Sequence, residues 1–122
     1  MYSIGIIGFG KMGQIRLLEI EKLKIAKDIT LFEPSMKKSK YKFVLNAEDI
    51  IVNLNIDIIF ICTPNYLNMK MTIESLKNKK HVFCEKPPAL TASQVIEIKK
   101  YEIKSKKTLM YGFNHRHHSS IQ

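Results

Sequence analysis

Three glycines, Gly8, Gly10 and Gly13, follow directly on the largely apolar run Ser3–Ile7 and open a stretch of helical spacing. That junction leaves few folds open. A short run dominated by isoleucine suits a strand buried on both faces, and Lys11–Ile25 beyond it reads as a helix. Glycines between the two permit a turn tight enough to pass from strand to helix without a loop. Gly8 is placed for that turn, Gly10 for close approach of a ligand to the backbone, and Gly13 for close packing of helix on strand.

The alternation continues along all 122 residues. Ile29–Phe32 is expected as a second strand, closed by Glu33 and Pro34, and Tyr41–Val44 as a short third. Asn46 is placed to cap the next helix, with Asp49 adding negative charge to its first turn. Asp57–Cys62 (DIIFIC) is the clearest strand, β-branched and almost wholly apolar. Beyond Thr63–Pro64, Met69, Ile73 and Leu76 fall at i, i+4 and i+7, a helical spacing. His81–Cys84 reads as a strand, and Pro87–Pro88 then forbids regular structure. Thr91 and Gln94 fit a capping box that opens a helix to about Ile103, and Thr108–Phe113 supplies the last strand. The expectation is an α/β fold: a doubly wound parallel sheet of about six strands with helices on both faces. This length holds one compact domain, and no strands or helices remain for a second.

Composition removes several function classes. Hydrophobic residues make up 45% and charged residues 25%, an ordinary globular balance. The net charge of +9 invites a nucleic-acid reading, but Arg16 and Arg116 are the only arginines. Base edges are read largely by arginine forks, and the lysines are scattered over helix faces and loops, so no nucleic-acid partner is expected. Neither a membrane span nor a signal peptide is expected. Cys62 and Cys84 lack CxxC spacing, which reads as two free, buried thiols in a reducing cytoplasm.

The chemistry gathers at strand ends. Gly8-Phe9-Gly10-Lys11-Met12-Gly13 is a GxGxxG sequence. Alone it is a weak signal; between a strand and a helix it marks a dinucleotide pyrophosphate at the helix N-terminus. Glu33 ends the second strand roughly twenty residues on, where an acid binds the adenosine ribose hydroxyls. A carboxylate there favours NAD and repels a 2′-phosphate, while Ser35, Lys37 and Lys38 keep NADP open. Thr63-Pro64-Asn65 stands at the carboxyl end of the central strand, where open α/β sheets bind ligands; a helix cap by Thr63 or Asn65 is the plainer reading, and both roles are compatible. Glu85-Lys86-Pro87 ends the fifth strand at the same edge, its plainer reading a surface ion pair of small consequence.

Four segments together, GIIGFGKMG at Gly5–Gly13, CTPN at Cys62–Asn65, CEKP at Cys84–Pro87 and GFNHR at Gly112–Arg116, resemble the glucose–fructose oxidoreductase / inositol dehydrogenase / rhizopine-catabolism (Gfo/Idh/MocA) oxidoreductase family. The resemblance spans essentially the whole chain in order and spacing. It implies that residues 1–122 form the NAD(P)-binding domain, with 114–122 starting the crossover to a C-terminal α+β substrate domain that the chain lacks. It also implies hydride transfer between a nicotinamide cofactor and a hydroxyl of a sugar, sugar nucleotide or cyclitol. Lys86 is the carried-over catalytic residue, its ammonium hydrogen-bonding the hydroxyl and stabilising the developing alkoxide. Glu85 is expected to hold that lysine or contact the cofactor, and Asn114 and Arg116 to lie near the cofactor or support the site. Two departures stand out. Asn68 replaces a histidine that many members carry, and the family's histidine-bearing catalytic motif belongs to the absent domain. A sugar-like substrate is therefore expected only with that domain, and little turnover from the chain alone. The surface that normally meets the second domain invites self-association. A non-catalytic NAD-binding sensor or partner module is the alternative; it needs the glycines and Glu33 but has no use for Lys86. His115, His117 and His118 lack an accompanying carboxylate or cysteine, so no metal is expected.

Overall fold

A computed structural model describes residues 1–85 and 91–112. Six strands, β1 (Tyr2–Ile7), β2 (Ala26–Phe32), β3 (Lys42–Val44), β4 (Ile58–Ile61), β5 (His81–Glu85) and β6 (Leu109–Gly112), alternate with four helices. The helices are α1 (Lys11–Leu23), α2 (Ala47–Ile51), α3 (Asn65–Lys77) and α4 (Ala92–Ser105). The sheet has the order β3-β2-β1-β4-β5-β6, and every neighbouring pair is parallel. This is the doubly wound arrangement expected, with its topological switch between β1 and β4.

Side-chain alternation builds the two layers. Ile4 and Ile6 of β1 join Leu17, Ile20, Ile29 and Leu31 in one buried cluster, on the side of α1. Ile7, Ile59, Ile61, Val82 and Cys84 join Ile50, Ile51, Leu76 and Ile98 in the other, on the side of α2, α3 and α4. Each buried isoleucine contributes about 1.5–3 kcal/mol through removal from water, so the run read as a strand is also the centre of the core. Gly5 serves the second cluster: a Cβ there would run into the Ile50 side chain.

Several boundaries differ from expectation, each for a local reason. Helix α1 stops at Leu23, not Ile25, because Lys24 turns left-handed at φ 54° and donates to Ile20 and Glu21. Strand β2 begins at Ala26, three residues before the expected Ile29. Its first residues are held by backbone pairing with Tyr2 and Ser3 while Lys27 and Asp28 stay exposed, so no buried pattern announces them. Asn46 occupies the N-cap of α2, yet its side chain makes no capping hydrogen bond; Glu48 and Asp49 supply the negative charge of that turn. The capping box of α4 is complete. Gln94 N donates to Thr91 Oγ1 at 3.2 Å, and Thr91 N donates to Gln94 Oε1 at 3.1 Å. Lys79 after α3 and Lys106 after α4 repeat the left-handed ending of α1. Lys80 is buried, its ammonium donating to the carbonyls of Asn53 and Ile56, which ties down the turn between α2 and β4.

Candidate functional site

At the carboxyl ends of β1, β2 and β4 lies a cleft of about 550 Å³, bounded by Gly8, Gly10, Met12, Glu33, Thr63 and Tyr66 among others. The switch point produces it: β2 and β4 leave β1 in opposite directions, so their connections diverge. A somewhat larger hollow of about 690 Å³ lies at the amino ends of β2 and β3, lined by Glu21, Lys24, Lys27 and Lys40 among others. Its lining includes neither a glycine turn nor a helix N-terminus, whereas the smaller cleft has both.

The three glycines play distinct parts. Gly8 takes φ +93°, and a Cβ on it would stand 2.5 Å from the Cys62 carbonyl oxygen. A side chain there is thus excluded by both conformation and contact. A Cβ on Gly13 would overlap the carbonyl oxygen of Gly8, so this glycine sets how closely α1 approaches the turn. Gly10 is different. Among the described residues, its chain neighbours aside, a Cβ on it would meet nothing within 4 Å, so no contact there requires a glycine. The open space faces the start of α1, where Gly10 is the N-cap and supplies no side-chain cap. The first-turn N–H groups of a helix have no carbonyl one turn back to bond, and with the helix dipole they favour an anion. A cradle that a methyl group would fill, in front of unpaired donors, fits a dinucleotide pyrophosphate.

Glu33 flanks this cradle. Its Oε1 accepts from Phe9 N at 2.7 Å, which anchors the carboxylate to the glycine turn while it lines the cleft. Ser35, Lys37 and Lys38 do not line it. Thr63 and Pro64 line the opposite wall with Cys62 and Leu67. Pro64, not Thr63 or Asn65, is the N-cap of α3. The Thr63 hydroxyl instead donates to Asn68 Oδ1 at 2.8 Å. Asn68 is fully buried, and its Nδ2 donates to the Glu85 carbonyl at 3.0 Å. One amide therefore links the loop after β4 to the end of β5.

The Glu85 carboxylate meets Arg16, whose Nε lies 2.5 Å from Oε2. That hydrogen bond, against the opposing effect of burial, raises the guanidinium pKa above its ordinary value. Sequence reasoning noted Arg16 only as one of two arginines and Asn68 only as a departure. Neither role has a local signal, since Arg16 and Glu85 are 69 positions apart. Cys62 and Cys84 are free thiols; burial pushes them up to about 12 and about 11, which leaves them protonated and unreactive at neutral pH. Lys86, Pro87, Asn114, Arg116 and the three terminal histidines lie outside the described residues. Of Asn65, only its place as the first residue of α3 is described. Among the described residues no helix is long and apolar enough to cross a membrane.

Comparison with known proteins adds to this geometry. The family model for the Gfo/Idh/MocA oxidoreductases, described as an NAD-binding Rossmann fold, matches residues 2–113. An uncharacterised oxidoreductase of Bacillus subtilis, YrbE, is 33% identical over 92% of this chain and 35% of its own length. Myo-inositol 2-dehydrogenase of Thermotoga maritima is 31% identical over 93% of this chain and 36% of its own. The chain thus spans about a third of the length of these relatives. Among solved structures, the WlbA dehydrogenase of Chromobacterium violaceum, in complex with NADH and UDP-GlcNAcA, superposes with a TM-score of 0.82 at 20% identity. That match covers 94% of this chain and 36% of WlbA, and it bears on fold alone.

Proposed function

This chain belongs to the Gfo/Idh/MocA oxidoreductase family, and on that premise we propose that it forms the cofactor half of an NAD-dependent dehydrogenase acting on a sugar, sugar nucleotide or cyclitol. The observation that carries the reading is the open space beside Gly10 at the start of α1. A glycine there answers to no contact among the described residues, and it stands in front of the donors of α1 with Glu33 at its flank. A relative supports the substrate class: the Thermotoga maritima protein is a myo-inositol 2-dehydrogenase.

When bound, the nicotinamide supplies the hydride acceptor or donor. The protein's part is placement and charge. Gly8 and Gly13 shape the turn, Gly10 admits the phosphates, and the first turn of α1 bonds them. Glu33 selects a ribose with free hydroxyls, since a 2′-phosphate would bring a second negative charge against its carboxylate. Lys86, next in sequence to Glu85, is assigned to polarise the substrate oxygen and stabilise the alkoxide formed as the hydroxyl gives up its proton, from which hydride leaves to yield the carbonyl. Substrate contacts and the proton acceptor are assigned to residues beyond this domain, so turnover by the 122 residues alone is expected to be negligible.

Calorimetric titration with NADH and NADPH tests the reading. NADH is expected to saturate a single site, NADPH to bind at least about tenfold more weakly from charge repulsion at close range, and Glu33→Ala to remove that preference. Failure of both nucleotides to bind refutes the cofactor assignment. A preference for NADPH refutes the role given to Glu33.

A further inference from the structure

The last residue of β5 is held by a side chain that does not line the cleft at the glycine turn. Arg16, on the second turn of α1, brings Nε to 2.5 Å from Glu85 Oε2 and Nη2 to 3.3 Å from Oε1, while Nη1 reaches Glu19 Oε1 at 2.8 Å. Its guanidinium carbon also lies 4.7 Å from the centre of the Phe83 ring. The Arg16 and Glu85 side chains are only 13% and 12% exposed, so solvent and salt screen the pair little. Space for the pair is kept by Gly112, directly across from Glu85 in β6: a Cβ there would stand 2.6 Å from Glu85 Oε1 and 3.0 Å from Arg16 Nη2.

The same residue is fixed a second time, through its backbone. Asn68 on α3 donates to the Glu85 carbonyl while accepting from Thr63. Helices on opposite faces of the sheet therefore grip one residue by its carboxylate and its carbonyl. A largely buried ion pair adds little net stability over an apolar pair of equal size; what it fixes is geometry. In a doubly wound sheet the dinucleotide crosses the carboxyl ends, one half over β1–β3 and the other over β4–β6. Glu33 stands on the first half and Glu85 on the second.

We propose that Arg16 is a positioning residue for the nicotinamide half of the site. It sets the end of β5 through Glu85, and with it the surface on which the nicotinamide rests. This rests on the NAD reading above.

NADH and ADP-ribose, which lacks the nicotinamide, separate the two claims in titrations of this chain. The variants are Arg16→Met, which keeps packing on Phe83, Arg16→Lys, which restores the charge, and Glu85→Gln, which removes the partner's charge. Wild type is expected to bind both probes and to alter the emission of NADH. Arg16→Met is expected to bind ADP-ribose within about twofold of wild type but NADH at least about fivefold more weakly, the lower end of coupling between linked sites, with the emission change lost. Glu85→Gln should reproduce this, the double variant should be no worse than either alone, and Arg16→Lys should recover part of it. Should Arg16→Met fail to fold, Glu85→Gln and Arg16→Lys carry the same comparison. Equal weakening of both probes means that Arg16 merely supports the fold and overturns the proposal alone. So does unchanged NADH affinity with unchanged emission. A wild type that binds neither probe overturns the NAD reading and this proposal together.

Discussion

Alanine at Gly10 and alanine at Gly13 are expected to damage different properties of the same turn. Gly10 sits at the N-cap of α1 with φ −76° and ψ −152°, extended backbone that alanine also adopts. Its new Cβ would meet no described residue other than its chain neighbours within 4 Å. Alanine is a poorer N-cap than glycine by about 0.5–1 kcal/mol, and the stiffer unfolded chain returns about 0.4–1 kcal/mol. These nearly cancel, so the unfolding midpoint of Gly10→Ala should stay within about 3 °C of wild type. The same methyl group occupies the cradle. Loss of one charge-assisted hydrogen bond, about 1.5–3 kcal/mol, weakens NADH binding by about 10- to 150-fold. Gly13→Ala drives a Cβ into the Gly8 carbonyl, a backbone atom with nowhere to go. Overpacking of this kind costs about 1–3 kcal/mol, or about 4–12 °C for a domain of this size. Thermal melts by circular dichroism and calorimetric titration with NADH, run in parallel, separate the two. A Gly10→Ala protein that binds NADH like wild type, or that melts as early as Gly13→Ala, would falsify the assignment of the cradle.

Two further outcomes test the fold. Thr91→Ala removes the acceptor for Gln94 N in the capping box and should lower stability by about 1 kcal/mol; an unchanged denaturation midpoint would mean that α4 does not depend on this start. Cys62 and Cys84 sit at about 12 and about 11 against an ordinary 9.0, raised first of all by burial. The unfolded chain therefore releases protons above about pH 9 that the folded chain keeps until about pH 11–12, so stability is full below pH 9 and falls as pH rises through that window. Urea midpoints measured from pH 8 to 10.5 should decline, and less steeply in Cys62→Ala; equal slopes in the two proteins refute the thiol contribution.

What the sequence made legible is what short-range pattern encodes. Isoleucine runs marked β1 and β4, and Thr91 with Gln94 marked the start of α4, because burial and capping act over a few residues. The glycine turn was legible for the same reason. The start of β2 was not, since Lys27 and Asp28 are held by the neighbouring strand's backbone and leave no pattern in side chains. Helix α1 ran long on paper because nothing about Lys24 announces a left-handed residue, a conformation that glycine usually takes. Asn46 had the right place and the wrong bond. The Arg16–Glu85 and Thr63–Asn68–Glu85 links were invisible because they join segments that only the closed sheet brings together.

The lysines that close the helices have an effect of their own. Lys22 and Lys24 end α1, Lys77 and Lys79 end α3, Lys104 and Lys106 end α4, and all six are exposed. In a parallel sheet every helix runs back against the strands, so these ends lie along the edge opposite the cleft, where Lys27 and Lys42 open β2 and β3. Much of the net charge of +9 is therefore gathered at one pole. On a sulfonated resin or an anionic film the molecule would settle on that pole, and the glycine cradle would face outward, still accessible from solution.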